Sequence, residues 1–513
     1  LTFCSNLTKL CALWVTYKMS LQHRNVINLI LLERFGKVIA DVGDIIFQNP
    51  SSLYNIVKSA DIRISKVKEA LSVLIKYNLV TFKLNVDSSA AIYMLNLKNV
   101  LLMLRFPKFI NLIKTKFDET YEVLVEEILL KGCVTASELI IKVAKRLQEQ
   151  KTVNILLQEL KDNFNSLVTA KYVTRLSTQV TKAEELYLLP NLDLKQILTV
   201  LNGENETLSD AGIYWTINSD RFHQDLRDQL IVNSVSNKFD DNMGELIRLL
   251  LQQMYVRTDP WVSSSNPIPI LEVKDIVKKR NTHPQLATFF EQYVNILEQD
   301  ATGIIRKVGE ASGGSFQVEI KHIFTQLTWE AVEEIVNEKF DSKASRIFRL
   351  VKLRHYIEPE QIQNLVMIPA KEVKRILYML LEENFLVVNE LKRSATSLGP
   401  SKSFTLFHIR LSQVVRTMLE LCYKTLYNIM TRRCHEKYLN KRLIDKKHRV
   451  DTITHGMRVQ GISGDSVLDI EEMITPPENE ILERIGKMMK KLSLTELEID
   501  ETLFLLEMYL KYE

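Results

Sequence analysis

Glycine and proline are scarce in this chain of 513 residues, at 15 and 12. A large all-β protein needs more turn residues than that, so a mainly helical architecture is expected. Cysteine is scarcer still: five, at positions 4, 11, 133, 422 and 434, with no CxxC pair. That spacing argues against a zinc knuckle or a disulfide framework and fits free thiols in a reducing compartment. No apolar run reaches the roughly 18 residues that a bilayer span needs. A surplus of one charge is missing too, since 67 Lys and Arg face 63 Asp and Glu. Net charge therefore neither demands nor excludes nucleic acid, and only local clustering can decide.

The motifs of common enzymes are absent. There is no GxxxxGK[ST], no GxGxxG and no Asp-rich metal loop of a polymerase centre. Gly309 with Ser312-Gly313-Gly314 is the nearest thing to a glycine-rich loop, but it lies between two expected strands and reads as a wing turn. Cys434, His435, His448 and His455 share an expected helix and read as solvated side chains rather than metal ligands. His223 and Asp225 have no nucleophile at a recognisable spacing. The reading is a non-enzyme without metal or cofactor. Residues 1–18 are apolar, with the sequon Asn6-Leu7-Thr8, yet lack an initial Met, a basic n-region and a small-residue cleavage site. They are expected to be a gene-model extension ahead of Met19-Ser20.

What the chain does have is repetition. Val67, Lys68, Leu71, Leu74 and Asn78 recur in register as Val373, Lys374, Leu377, Leu380 and Asn384. The apolar positions mark one helix face, and each Asn stands where a left-handed helix end favours Asn or Gly. A short helix from Ser51 to Ala60 precedes the first copy, with Ser51 and Ser65 as candidate caps, and a long helix is expected over Val26–Ile46. Strands are expected over Leu79–Leu84 and Ala91–Leu95. Helix, helix and β-hairpin in this order make a winged helix. The fourth copy has leading helices over Leu327–Leu353, then Pro359–Val366, a helix with Pro369 at its first position, and strands Phe385–Leu391 and Phe404–His408 around the polar wing Lys392–Ser403.

Two weaker copies lie between. One has helices Thr120–Leu130, Thr135–Leu147 and Val153–Ala170, with strands Tyr172–Arg175 and Leu186–Leu189. The other has helices Arg221–Phe239, Met243–Tyr255, Val273–Val277 and Gln285–Leu297, with strands Ile304–Val308 and Phe316–Ile320. The fold class is thus mainly α with small β-hairpins. The expected divisions are winged helices over 19–105, 106–190, 213–325 and 326–408, a linker over 191–212, and a C-terminal antiparallel helical hairpin over 409–513. That hairpin pairs a helix over Ile409–His455 with one over Pro477–Tyr512 across the glycine-containing stretch Gly456–Asp469.

Basic clusters are the candidate sites. Helix three of a winged helix commonly enters a groove of DNA while the wing follows phosphate. In copy one the exposed cations are Lys58, Arg63, Lys66 and Lys68; in copy four they are Lys371, Lys374 and Arg375, with Lys392 and Arg393 on the wing. A solvated face or a protein contact remains an open alternative for each. The densest run, Arg432, Arg433, Lys437, Lys441, Arg442, Lys446, Lys447 and Arg449, sets eight cations against Glu436 and Asp445. The favoured partners of that run are Glu471, Glu472, Glu478, Glu480 and Glu483 on the returning helix.

Several stretches carry a resemblance: Val100-Leu-Leu-Met-Leu-Arg-Phe-Pro107, Ile213-Tyr-Trp215 through Phe222-His223-Gln, Arg346-Ile-Phe348-Arg-Leu350, Val366-Met-Ile-Pro369-Ala-Lys371-Glu, and Asp500-Glu-Thr-Leu-Phe504-Leu-Leu506-Glu. In order, from about Met19 to the end, the chain resembles the large winged-helix subunit specific to RNA polymerase III, built of four extended winged helices and a coiled coil. That family is related to the alpha subunit of transcription factor IIE. The resemblance implies a non-catalytic nuclear subunit. It would belong to a polymerase III-specific heterotrimer on the clamp and contact the initiation factor complex and promoter DNA, double- and single-stranded, without sequence choice. A role in sensing foreign DNA is also implied. Residues 1–18 match nothing in that family, and the linker is short where relatives can carry a long polar insertion. The rival reading is a free-standing tandem winged-helix regulator, against which the near-neutral charge and the hairpin argue. A scaffold with one terminal winged helix, as in the proteasome lid, has too few modules.

Overall fold

The structure, a computed structural model, describes residues 21–84, 91–149, 157–176, 186–201, 210–280, 283–300, 302–309, 314–392, 403–459, 470 and 473–513. Residues 1–18, the turn at 85–89, Arg393 with most of the fourth wing, Glu471 and Glu472 lie outside the described residues. The chain divides into two compact units, Ile30–Glu319 and Ile320–Glu513, the latter taking in the described residues 21–29.

In the first unit, copy one is built from the later part of α1 (Leu21–Phe35), α2 (Lys37–Gln48), β1 (Ser51–Ser52), α3 (Leu53–Ala60), α4 (Ile64–Lys76), β2 (Val80–Leu84) and β3 (Ala91–Leu95). The expected single helix over Val26–Ile46 is two helices. Gly36, at φ +89, stands between them in a conformation that a side chain would resist. Neither expected serine cap is present. Ser51 and Ser52 instead pair with β3, and Ser65 lies inside α4, its Oγ 3.3 Å from Glu69.

Copy two runs through α5 (Phe106–Lys116), α6 (Glu119–Lys131), α7 (Ala136–Glu149), α8 (Leu157–Thr169), β4 (Val173–Leu176), α9 (Leu194–Leu201) and β5 (Tyr214–Ile217). Here the expected return strand Leu186–Leu189 is wrong. β4 pairs with β5, and Leu188 and Leu189 are exposed. Trp215 on β5 is fully buried and meets Phe164 edge to face at 5.4 Å, so the larger apolar anchor wins the pairing. The wing connection of copy two is therefore long and carries α9.

Copy three follows in α10 (Ser219–Lys238), α11 (Asp241–Arg257), β6 (Ile268–Pro269), α12 (Ile270–Arg280), α13 (Pro284–Thr288), α14 (Phe290–Gln299), β7 (Ile305–Gly309) and β8 (Ser315–Val318). The expected helix Gln285–Leu297 is divided at Phe289 into α13 and α14.

The second unit holds copy four and the hairpin: α15 (Ile320–Phe340), α16 (Ser342–Arg354), α17 (Pro359–Val366), α18 (Ala370–Glu382), β9 (Val387–Lys392), β10 (Ser403–His408), α19 (Leu411–Leu439), α20 (Lys441–Val459) and α21 (Pro476–Tyr512). Pro369 is the N-cap of α18, at extended ψ 140, rather than its first helical residue. The ring thus meets the preference for an extended cap without costing the helix a hydrogen bond.

Two recurrences make the copies one design. A residue ahead of helix two pairs with an aromatic of the return strand each time: Ser51 with Tyr93, Val134 with Trp215, Ile268 with Phe316, and Ile357 with Phe407. Helix three of copies one, two and four also ends alike. Asn78, Lys171 and Asn384 take positive φ of 55, 65 and 61. The next amide reaches back to the last turn: Leu79 to the Leu74 carbonyl at 2.9 Å, Tyr172 to Leu167 at 3.1 Å, and Phe385 to Leu380 at 2.8 Å. This closes the orphan carbonyls, and the following apolar residue seals the end in the core.

The hairpin is antiparallel. Cys422 meets Thr502, Arg433 pairs with Glu496, and Lys446 with Glu478, so numbers rise on one arm of the hairpin as they fall on the other. The expected continuous helix over Ile409–His455 is interrupted at Asn440, whose side-chain amide donates to the Glu436 carbonyl at 3.0 Å and so competes with helical bonding. The returning helix starts at a capping box of Thr475 and Glu478. At its far end Tyr512 stacks on Phe324 at 5.8 Å, and Lys321 donates to the Glu513 carbonyl, tying α21 to α15.

Candidate nucleic-acid interface

In copy four, α18 buries Val373, Ile376, Leu377 and Leu380. At 3.6 residues per turn, Lys371, Lys374, Arg375 and Tyr378 fall on the opposite side of the helix, within an arc of roughly 100°. All four are exposed, Tyr378 by 66%. None of the three cations has a carboxylate within 4 Å among the described residues. The acid interleaved with them, Glu372, is engaged by Lys343 of α16 at 2.7 Å. The hydrogen bond and charge of Lys343 hold its carboxyl below the usual range. One cation outside the helix-turn-helix thus neutralises the acid that interrupts this basic stretch. Farther along, the exposed Glu382 and then Glu383, which pairs with Lys339 at 2.8 Å, mark the acidic limit of the face.

Copy one presents a thinner version. Lys58 lies in the last turn of α3, Arg63 occupies the N-cap of α4, and Lys66 and Lys68 lie in its first turns; all are exposed. The residue matching Arg375 is Glu69, and the residue matching Tyr378 is Ser72, whose hydroxyl donates to the Glu69 carbonyl at 2.7 Å. The turn into helix three matches as well, with Asp61 at φ 51 and Met367 at φ 57. On the fourth wing the backbone of Lys392 pairs with Ser403, while the Lys392 side chain and Arg393 lie outside the described residues.

The charge run of the hairpin is satisfied in part. Lys446 reaches Glu478 at 2.7 Å, Arg433 pairs with Glu496, and Arg432 meets Glu436 on its own helix at 2.7 Å. Glu480 and Glu483 are exposed and take no ion pair with the run. Lys441, Arg442, Lys447 and Arg449 stay exposed without a carboxylate within 4 Å among the described residues. Arg433 and Glu496 are both 12% exposed, so their pair is the inner lock of the hairpin.

Asp225 has a structural task. It accepts from the Tyr172 hydroxyl at 2.5 Å and from Lys116 at 2.8 Å, joining copies two and three. Burial, and then the Asp225 charge, push the Tyr172 hydroxyl up. Beside it the buried Arg227 donates to the Pro260 carbonyl and the Tyr255 hydroxyl. Among the described residues no group of three or more His, Cys, Asp or Glu side chains is placed to hold a metal ion. Sequence reasoning missed Lys343 and Tyr378. The only signal for Tyr378 was its spacing of three, four and seven residues from the cations.

Four family profiles match along the chain. They are an RNA polymerase III subunit RPC82 helix-turn-helix domain over 25–85, RNA polymerase III subunit RPC82 over 142–327, a POLR3C C-terminal winged-helix domain over 332–409, and an RNA polymerase III subunit RPC3 helical hairpin domain over 442–505. The chain is similar to DNA-directed RNA polymerase III subunit RPC3 of Bos taurus, 33% identical over 94% of this chain and 97% of the relative. The RPC3 subunits of Homo sapiens, at 32% with the same coverage, and of Danio rerio, at 30% over 96% and 99%, match in the same way. With modules, hairpin and full-length relatives in agreement, the chain belongs to the RPC3 family of RNA polymerase III subunits.

Proposed function

We propose that this subunit is a non-catalytic part of a polymerase III-specific heterotrimer on the clamp of the enzyme, acting in the nucleus. There it supports promoter DNA binding and opening, and so initiation at tRNA, 5S rRNA and other small RNA genes, alongside the initiation factor complex. Copies four and one hold DNA by its phosphates. The observation that carries this reading is the outward face of α18, where Lys371, Lys374 and Arg375 stand exposed, with no carboxylate within 4 Å among the described residues, on the helix that winged helices commonly turn to DNA. Asn and Gln are absent from that face, which favours phosphate contact over base reading. Engagement of foreign DNA would use the same sequence-independent contacts. A free-standing regulator is disfavoured, because the relatives that match over nearly the whole chain are polymerase subunits.

The test changes Lys371, Lys374 and Arg375 together to Ala. Promoter-dependent transcription falls and recovery of the other polymerase III subunits is unchanged. The slope of log affinity against log salt for duplex DNA drops by about 2 to 3, near 0.9 for each phosphate no longer neutralised. Dissociation of the partner subunits with DNA affinity intact would make this face a protein interface.

A further inference from the structure

Copy one is seated on copy two through an aromatic side chain. Tyr77, the C-cap of helix three of copy one, lies against Gly132, so close that a Cβ added there would come 2.9 Å from its ring. Its hydroxyl donates to the Leu130 carbonyl in the last turn of α6. That carbonyl is open to an outside donor because Val134, four residues on, gives its amide to the Trp215 carbonyl instead. The receiving cleft is framed by Phe106, Ile128, Gly132, Thr216 and Ile217 of copy two.

Copy four repeats this cleft. With Ile357 matched to Val134 and Phe407 to Trp215, the framing positions become Trp329, Val351, His355, His408 and Ile409. All five line a cavity of about 190 Å3. His355 even takes the backbone conformation of Gly132, φ 62 and ψ −55 against φ 78 and ψ −64. Ile357 gives its amide to the Phe407 carbonyl, so helical bonding leaves the Leu353 carbonyl open as it leaves that of Leu130. The walls here are mostly rings: Trp329, His355, Tyr356 and His408. Lys352 lies over Trp329 at 4.9 Å and is held by Glu333 at 3.2 Å. His408 is 7% exposed, and its buried Nδ1 has no hydrogen-bond partner among the described residues. Such an acceptor costs stability until a donor reaches it. In copy two a neighbouring module supplies the ring; in copy four the described lining belongs to α15, α16, the turn after it and the end of β10.

We infer that this cleft is a docking socket for another polypeptide, and that it takes a tyrosine at the end of a helix, presented as Tyr77 is presented to copy two. Size, polarity and charge select that guest. A cavity of about 150 Å3 accepts benzene, so this one accepts a single phenol ring and little more. The Leu353 carbonyl and His408 Nδ1 are acceptors, and the guest brings a hydroxyl and the amides of its own chain. The exposed Arg354 and Arg410 adjoin the helix end and the strand end of the cleft, which favours carboxylates beside the tyrosine. With His355 where copy two has glycine, the guest ring stacks on an imidazole instead of bare backbone. The socket uses no residue of α18, so it stands apart from the DNA-holding reading.

Fluorine NMR tests the socket with the acetylated peptide Glu-Ile-Glu-Tyr-Asn-Leu-Glu, its tyrosine replaced by 3-fluorotyrosine, titrated with the full chain. The resonance should shift and broaden saturably. Tyr356→Ala weakens binding roughly ten-fold, the order of one aromatic contact with the area it buries. Tyr356 is 54% exposed, so this variant melts with the parent. Removing one hydrogen bond, by 4-fluorophenylalanine in the peptide or by His408→Phe in the chain, weakens binding roughly two- to twelve-fold. The Lys371, Lys374 and Arg375 triple variant binds the peptide as the parent does. In assembled polymerase III, benzoylphenylalanine at the exposed Leu353 should join another subunit beside a tyrosine at a helix end. No saturable change, or parental binding by Tyr356→Ala, by His408→Phe or with the fluorophenylalanine peptide, overturns the inference. So does loss of the peptide from the triple variant, which would put it on the basic face. An adduct to nucleic acid, to a site without such a tyrosine, or no adduct, overturns it as well.

Discussion

Leu377→Asp is the sharpest perturbation of copy four, because it separates the two sides of α18. Leu377 is 2% exposed and lies on the buried face of α18 with Val373, Ile376 and Leu380. Cutting a buried leucine to a small side chain costs about 2–5 kcal/mol. The new carboxyl must also be dry. Keeping it protonated at pH 7 against an ordinary value near 3.9 costs about 4 kcal/mol more. The sum, on the order of 6–9 kcal/mol, rivals the whole stability of a typical domain at about 5–15 kcal/mol. Lys374→Asp, three residues earlier on the exposed side, is the control and should change stability by no more than about 0.5 kcal/mol. Hydrogen exchange on the full chain reads both. Leu377→Asp should abolish protection in α17, α18 and β9 and leave copies one to three protected. Protection at the level of the parent, or equal damage from Lys374→Asp, would refute the helix phase on which the interface rests.

Two further outcomes follow from geometry. Gly132, at φ +78, stands where an added Cβ would come 2.9 Å from the Lys76 carbonyl, whereas Gly36, at φ +89, has nothing within 4 Å. Gly132→Ala should therefore destabilise by at least about 1 kcal/mol more than Gly36→Ala, which bears only the backbone strain; equal melting shifts would show the close approach to be soft. His23 stacks on Tyr423 at 4.7 Å, and burial lowers its pKa to about 4. A lowered histidine favours the neutral folded form. Its contribution is complete above the unfolded value near 6.5 and is lost as pH falls toward 4, by about 1.4 kcal/mol per pH unit. Unfolding followed between those limits should lose this acid sensitivity in His23→Gln, and an unaltered pH profile would speak against it.

Much of this was legible in the residues, for reasons that can be named. Asn78 and Asn384 announced left-handed helix ends because Asn tolerates that conformation; Lys171 does the same work in copy two but carries no such signal. Apolar spacing found helix three of copies one and four and hid the break at Gly36, since the apolar pattern runs on across one glycine. The strand Tyr214–Ile217 was read into the start of copy three because it lies far in sequence from its partner, and local pattern cannot report a distant pairing. Of the candidate site, the cations were legible and their freedom was not. That Lys343 would remove Glu372, or that Lys446 and Arg433 would find Glu478 and Glu496 while Lys441, Arg442, Lys447 and Arg449 would not, depends on helix packing. Tyr378 carries no signal in the sequence beyond its spacing from the cations, and its exposure depends on which residues of α18 the core takes.

Whether α18 meets DNA or protein in the assembled enzyme decides the role of copy four. A photoreactive benzoylphenylalanine placed at Lys374, in polymerase III assembled on promoter DNA, measures that encounter directly. The expected product is an adduct to DNA near the opened region, formed with promoters of unrelated sequence and diminished by salt. An adduct to another polypeptide, with none to DNA at low salt, would contradict the DNA-holding role.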